Sequence, residues 1–132
     1  MSQENVAIVR AAIEAWSRGD WGAWFKNVAP DIEFDSTRDL GEWRGVYTTR
    51  DGVMRVWKRF AETWESVRIE VEQLIDAGDQ VVSRQTGTLT GRDGIEVTVR
   101  SYFLWRLRDG AITHLVSYRE FEAALEAAGL SE

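Results

Sequence analysis

The chain contains no cysteine and a single histidine, His114, in 132 residues. The first absence excludes disulfides, thiolate metal sites and a cysteine nucleophile. The second excludes a His-rich metal site, and a carboxylate-only site would be weak and unselective. No metal or other cofactor is expected. Basic excess is missing too: Lys and Arg number 16 against 22 Asp and Glu, a formal net charge of −6. Without the cations that neutralise a phosphate backbone, nucleic acid is not an expected partner. No apolar run approaches membrane-spanning length, so no membrane contact is expected. The opening residues, Met1 to Asn5, show no basic region followed by an apolar stretch. They do not read as a secretory signal, and the expected location is cytoplasmic.

What the chain does have is large rings. Seven tryptophans and five phenylalanines accompany a composition of 44% hydrophobic and 29% charged residues, that of an ordinary globular protein. The length fits one domain over residues 1–132. Trp16 and Trp24 fall in the first two helical stretches; Trp57, Phe60 and Trp64 form one stripe; Phe103 and Trp105 alternate along a strand. Each ring removes a large apolar area from water when buried. Several rings converging on one side of a sheet often leave a hollow, and ring-lined hollows with few polar groups are the usual form of small-molecule sites. Stripes at helical spacing also serve as plain helix-to-sheet packing, so both core and pocket wall are open for each ring.

The apolar period places the elements. Val6, Val9, Ile13 and Trp16 predict a helix over residues 3–18 that Ser2 caps. Gly19 suits a left-handed stop, and Asp20 suits the N-cap of a short helix carrying Trp21, Trp24, Phe25 and Val28. Pro30 ends it, Ile32 to Asp35 read as a short strand, and Ser36 to Thr48 as a polar loop. Thr49 begins a third helix with Val53, Trp57, Phe60 and Trp64 in register. From Val67 the period changes to two, and strands follow up to the turn Asp76 to Asp79, over 80–90, over 95–108 after the hairpin turn Gly91 to Gly94, and over 111–119 after the turn Arg108 to Gly110. A short helix with Phe121, Ala124, Leu125 and Ala128 closes the chain. The fold class is α+β, with helices on one face of a mostly antiparallel sheet.

Between Ser101 and Leu107 both strand faces are apolar, Tyr102 and Leu104 lying opposite Phe103 and Trp105. A sheet covered on one face should be polar on the other. Either the C-terminal helix covers Tyr102 and Leu104, or the outer sheet face is a homodimer contact.

Several phrases together resemble the SnoaL-like branch of the nuclear transport factor two-like superfamily. They are Glu4-Asn5-Val6, the break at Ser17 to Asp20, Ala29 to Glu33, Ile75 to Asp79, Leu107 to Ile112 and the ending Glu122 to Leu130. The resemblance implies a cone: a curved sheet wrapped around three N-terminal helices, a short C-terminal helix, and a deep pocket for a small apolar or aromatic molecule. Family members include isomerases, cyclases, dehydratases and proteins without catalysis, so the fold does not decide the reaction.

Asp35 is the first catalytic candidate. It shares a strand face with Glu33, and the resemblance places the general base of ketosteroid isomerases at this position. A carboxylate in an apolar pocket has a raised pKa, ready for proton transfer; the other reading is an Asp accepting backbone hydrogen bonds at a strand end. The isomerase tyrosine falls at Ala12 and its second acid near Phe103, so that oxyanion hole is missing. The cyclase aspartate falls at Ser117. Arg84 is the second candidate: facing inward it would hold an oxygen of the substrate, facing outward it is a cross-strand charge. His114 is expected on the outer face. Ligand contact is expected from Trp16, Trp24, Trp57 and Phe60 on the helices, and from Ser101, Phe103, Trp105 and Ser117 on the strands. The functional expectation is a cofactor-independent isomerase, cyclase or dehydratase using Asp35; the alternative is a noncatalytic ligand-binding or protein-interaction module.

Overall fold

The computed structural model describes residues 2–38 and 44–130. Helix α1 (Ser2–Ser17) stops where Gly19 turns to φ +71°, and Asp20 caps α2 (Trp21–Lys26) by accepting from the Ala23 N–H at 3.1 Å. The expected Ser2 cap falls on a side chain outside the described residues. Strand β1 (Val28–Asp35) begins earlier than the sequence suggested, so Val28 lies in the strand and not in α2. Pro30 sits in the irregular stretch between the paired positions Val28 and Glu33, where a missing N–H breaks no ladder bond. Strand β2 (Val46–Thr48) lies inside the segment read as loop and pairs antiparallel with β1. Then come α3 (Thr49–Thr63), β3 (Ser66–Asp76), β4 (Gln80–Thr90), β5 (Glu96–Arg108), β6 (Ala111–Tyr118) and α4 (Phe121–Ala127). No helix is long and apolar enough to cross a membrane.

The six strands form one curved, unclosed sheet in the order β2-β1-β6-β5-β4-β3. Every pairing is antiparallel except β1 with β6. Bulges between Val71 and Gln73 and between Arg106 and Leu107 supply local bending and twist. Helices α1, α2 and α3 pack against the inner face through Val9, Ile13, Trp24, Val53 and Trp57, which meet Ile32, Leu115 and Trp105 of the sheet.

The outer face has its own cluster. Val82, Leu104 and Val116 are buried there under Ala124 of α4, with Tyr102, Phe121 and Leu125 at the edges. Tyr102 and Leu104 therefore face a helix of the same chain, which answers the question their apolar character raised. They give no argument for a partner subunit.

Strict alternation fails in β6 as well as at the β3 bulge. The register shift opposite Arg106 and Leu107 falls around Thr113. Ile112 joins the inner core with Leu115, although a strict period of two would put it on the face of His114 and Val116. A one-residue irregularity of this kind moves a side chain to the other face.

Candidate functional site

Between the helices and the inner sheet face lies a cavity of about 370 Å³. Trp16, Trp24, Trp57 and Phe60 form its helical wall, and Ser101, Phe103, Trp105 and Ser117 stand on the sheet side. All of these were the ligand-contact candidates. The rings interlock: Trp57 meets Trp24 at 4.5 Å, Trp16 at 5.5 Å and Phe34 at 5.7 Å between centroids, each near edge-to-face. That geometry suits the ring quadrupoles and makes the helical wall stiff.

Sequence reasoning missed Ser36, Gln85, Gly87 and Arg44 on the lining. A readable signal was the inward row of β4. Ser83, Gln85 and Gly87 are small or polar where a packed core would carry bulk, and a row short of volume leaves a hollow opposite it. A Cβ at Gly87 would stand 3.1 Å from Ile69 Cδ1, so glycine also lets β3 close in at this point. Ser36 is committed to the loop: its Oγ donates to the Gly45 carbonyl at 3.2 Å and accepts the Gly45 N–H at 3.1 Å.

Asp35 and Arg84 do not reach the cavity. Asp35 pairs with Val116 and Val46 on the outer face, while its neighbours Phe34 and Ser36 point inward. Glu33 and Asp35 do share a face, but the face is the opposite one to that required of a general base. The reason is the ordinary one: the helix-covered side takes Ile32 and Phe34, leaving the carboxylates outside. The Asp35 carboxylate instead closes a local turn. It accepts from the Thr37 N–H at 2.9 Å, the Thr37 hydroxyl at 2.6 Å and Arg38 Nη1 at 2.9 Å. Partial burial pushes its pKa up, but the Thr37 hydrogen bonds and the Arg38 contact together outweigh that and hold it below the ordinary aspartate value. This is the reverse of the raised pKa expected for a pocket base.

Arg84 lies across from Tyr102 on the outer face. Its guanidinium stands 4.9 Å from the centre of the Phe121 ring and its Nε 3.7 Å from Glu72 Oε1. It helps hold α4 on the sheet. His114 is also on the outer face, opposite Glu33 and Arg106, as alternation anticipated. Among the described residues the lining carries no carboxylate, imidazole or thiol, so the cavity wall has no metal-ligand set.

The Asp35 assignment has a measurable consequence. A depressed carboxylate pKa contributes stability that is complete above the unfolded value near 3.8 and lost as the pH falls through the lower folded value. Asp35→Asn should cost about 1 kcal/mol at neutral pH through its weakened hydrogen bonds. The gap between the two proteins should close below pH 3.8. Denaturant melts across that range check it, and a gap that widens on acidification would contradict the placement.

The family profile described as the SnoaL-like domain matches residues 9–115. No curated protein matches the sequence. Among solved structures, TerC co-crystallised with polyporic acid superposes with a TM-score of 0.79 at 20% identity, covering 96% of this chain and 98% of TerC. A nuclear transport factor two-like protein from Burkholderia thailandensis gives a TM-score of 0.77 at 26% identity, over 95% of this chain and 96% of that one. A protein of ketosteroid isomerase-like fold from Catenulispora acidiphila, in complex with trimethylamine, gives 0.73 at 22% identity, over 93% and 92%. With the profile spanning most of the sequence and the fold shared along nearly its whole length, the chain belongs to the SnoaL-like family of the nuclear transport factor two-like superfamily.

Proposed function

We propose that the chain binds a small apolar or aromatic molecule in the ring-walled cavity and that the fold serves chiefly as a receptor for it. One observation carries this reading. The hollow lies within the size range of small-molecule sites, and its wall combines seven aromatic side chains with a few polar ones, Ser36, Gln85, Ser101 and Ser117 among them. An isomerase, cyclase or dehydratase working through Asp35 loses support, because that carboxylate is turned outward and tied to Thr37 and Arg38. The noncatalytic alternative gains by the same placement. The polar groups on the wall can orient a bound molecule by hydrogen bonds. Polyporic acid, with which TerC was co-crystallised, is a sensible first ligand.

Saturable quenching of tryptophan emission by an acetylnaphthalene tests the reading, since the rings of Trp16, Trp24 and Trp57 would touch the probe. Ser101→Phe puts a large ring into the cavity from β5, at a half-buried position where the fold can accommodate it. We expect one-to-one binding by the parent protein and at least about tenfold weaker binding by the variant, about 1.4 kcal/mol. Equal binding by both proteins, or no saturation at all, would remove the cavity as the site.

A further inference from the structure

Four buried side-chain polar atoms have no hydrogen-bond partner among the described residues: Trp16 Nε1, Trp24 Nε1, Gln85 Oε1 and Arg84 Nε. The last has a carboxylate oxygen of Glu72 at 3.7 Å to offset its burial. The other three belong to side chains that line one and the same cavity. Trp24 is 1% exposed and Gln85 3%, so bulk water does not reach them. Native proteins pair nearly all such atoms, and a cluster of exceptions in one place asks for a cause.

Trp105 supplies the comparison. It lines the same cavity and is as deeply buried, yet its indole N–H donates to Ser83 Oγ at 2.8 Å. Where a tryptophan serves only as wall, the chain has provided its partner. Trp16 and Trp24 are left without one, although both pack edge-on against Trp57 and so belong to a single cluster on the helical side. Gln85 stands across from them on the sheet, beside Ser101 of the neighbouring strand. The arrangement is two donors on one wall and one acceptor on the other.

We infer that the indole N–H groups of Trp16 and Trp24 and the amide oxygen of Gln85 form the polar recognition set of the cavity. Resting on the binding role proposed above, this narrows the ligand to a class: an uncharged aromatic compound with an acceptor oxygen toward the helices and a hydroxyl toward β4. A plain hydrocarbon fills the hollow but leaves all three groups unpaired, and a site built to hydrogen-bond discriminates strongly against ligands that cannot do so. An ionised group at the buried end would lack a counter-charge, because the charged lining residue among those described, Arg44, is exposed.

Calorimetry with two probes of one skeleton tests the inference. One is a naphthalene with an acetyl group on one ring and a hydroxyl on the other; the second is isopropylnaphthalene, which has neither oxygen. The parent protein should bind the first at least about tenfold more tightly. Gln85→Met and Trp16→Phe, which keep most of the volume, should each lower that preference, read as the ratio of the two affinities, about tenfold, with the hydrocarbon still binding measurably whatever the change in its own affinity. The hydrocarbon thus also reports whether each variant is folded. Equal affinity for the two probes in the parent, or a preference untouched by both substitutions, would overturn the recognition set and leave the cavity as a plain apolar receptacle. Binding of neither probe would remove the binding role itself, and the inference with it.

Discussion

Trp57→Ala should lower the melting temperature by about 10–20 °C, among the largest drops from any single substitution in this protein. Trp57 is the hub of the ring cluster: Trp24, Trp16 and Phe34 all meet it within 5.7 Å, and it is 9% exposed. Truncating a buried Trp costs about 3–5 kcal/mol, because the transfer term is lost and a cavity is left behind. Each edge-to-face pair is worth a further fraction of a kilocalorie to about 1.5 kcal/mol. For a chain of this length a kilocalorie corresponds to a few degrees. The site also suffers, since the wall of the neighbouring cavity recedes and the two voids merge. Thermal denaturation followed by circular dichroism gives the first number, and titration of the variant with an acetylnaphthalene gives the second. A shift below about 5 °C would show that the helical layer is held by something other than these rings.

The same rings explain how far the sequence could be read. Their period placed α1, α2 and α3, and the glycine-containing turns at Gly78, Gly94 and Gly110 separated the strands correctly, each glycine having positive φ. These are local signals, written in neighbouring residues. The misses depend on distant ones. Three residues suffice for β2 because β1 supplies its hydrogen bonds, and nothing in Val46-Tyr47-Thr48 announces that partner. Trp64 continues the helical stripe in sequence, but its φ and ψ are already extended, so α3 ends before it.

The site was legible in outline and misread in its polarity. Alternation paired Asp35 with Glu33 correctly but could not say which face the helices would cover. Once Ile32 and Phe34 are seen to pack inward, the carboxylates must lie outside. Arg84 is conspicuous in the sequence as a charge in an apolar strand, whereas the inward residue is its neighbour Gln85. A neutral amide among strand residues is easily passed over, yet it is the group left unpaired against the cavity.

Deleting residues 119–132 should destabilise the sheet and make the protein self-associate. Among these residues, α4 carries Phe121, Ala124 and Leu125 onto the outer sheet face. Its loss uncovers Val82, Leu104 and Val116, none of them more than 9% exposed in the intact chain. It also removes the Phe121 ring that the Arg84 guanidinium faces at 4.9 Å and that Tyr102 meets at 5.8 Å. Burial of a Phe or Leu side chain is worth about 1.5–3 kcal/mol, so losing two together with the sheet residues they cover removes about 4–6 kcal/mol. That approaches the whole stability of a typical domain. The uncovered patch is contiguous across three neighbouring strands, the kind of surface that monomers rarely leave open. Light scattering after gel filtration should show a larger species than the full-length protein gives at the same concentration, and a denaturant melt should show a lower midpoint. Ala124→Asp, which buries a charge at a position with 0% exposure, should move both readouts in the same direction without shortening the chain. A truncated protein that melts within a few degrees of the parent and elutes at its size would mean that α4 is an ornament on the sheet, and that the apolar character of Tyr102 and Leu104 has another purpose.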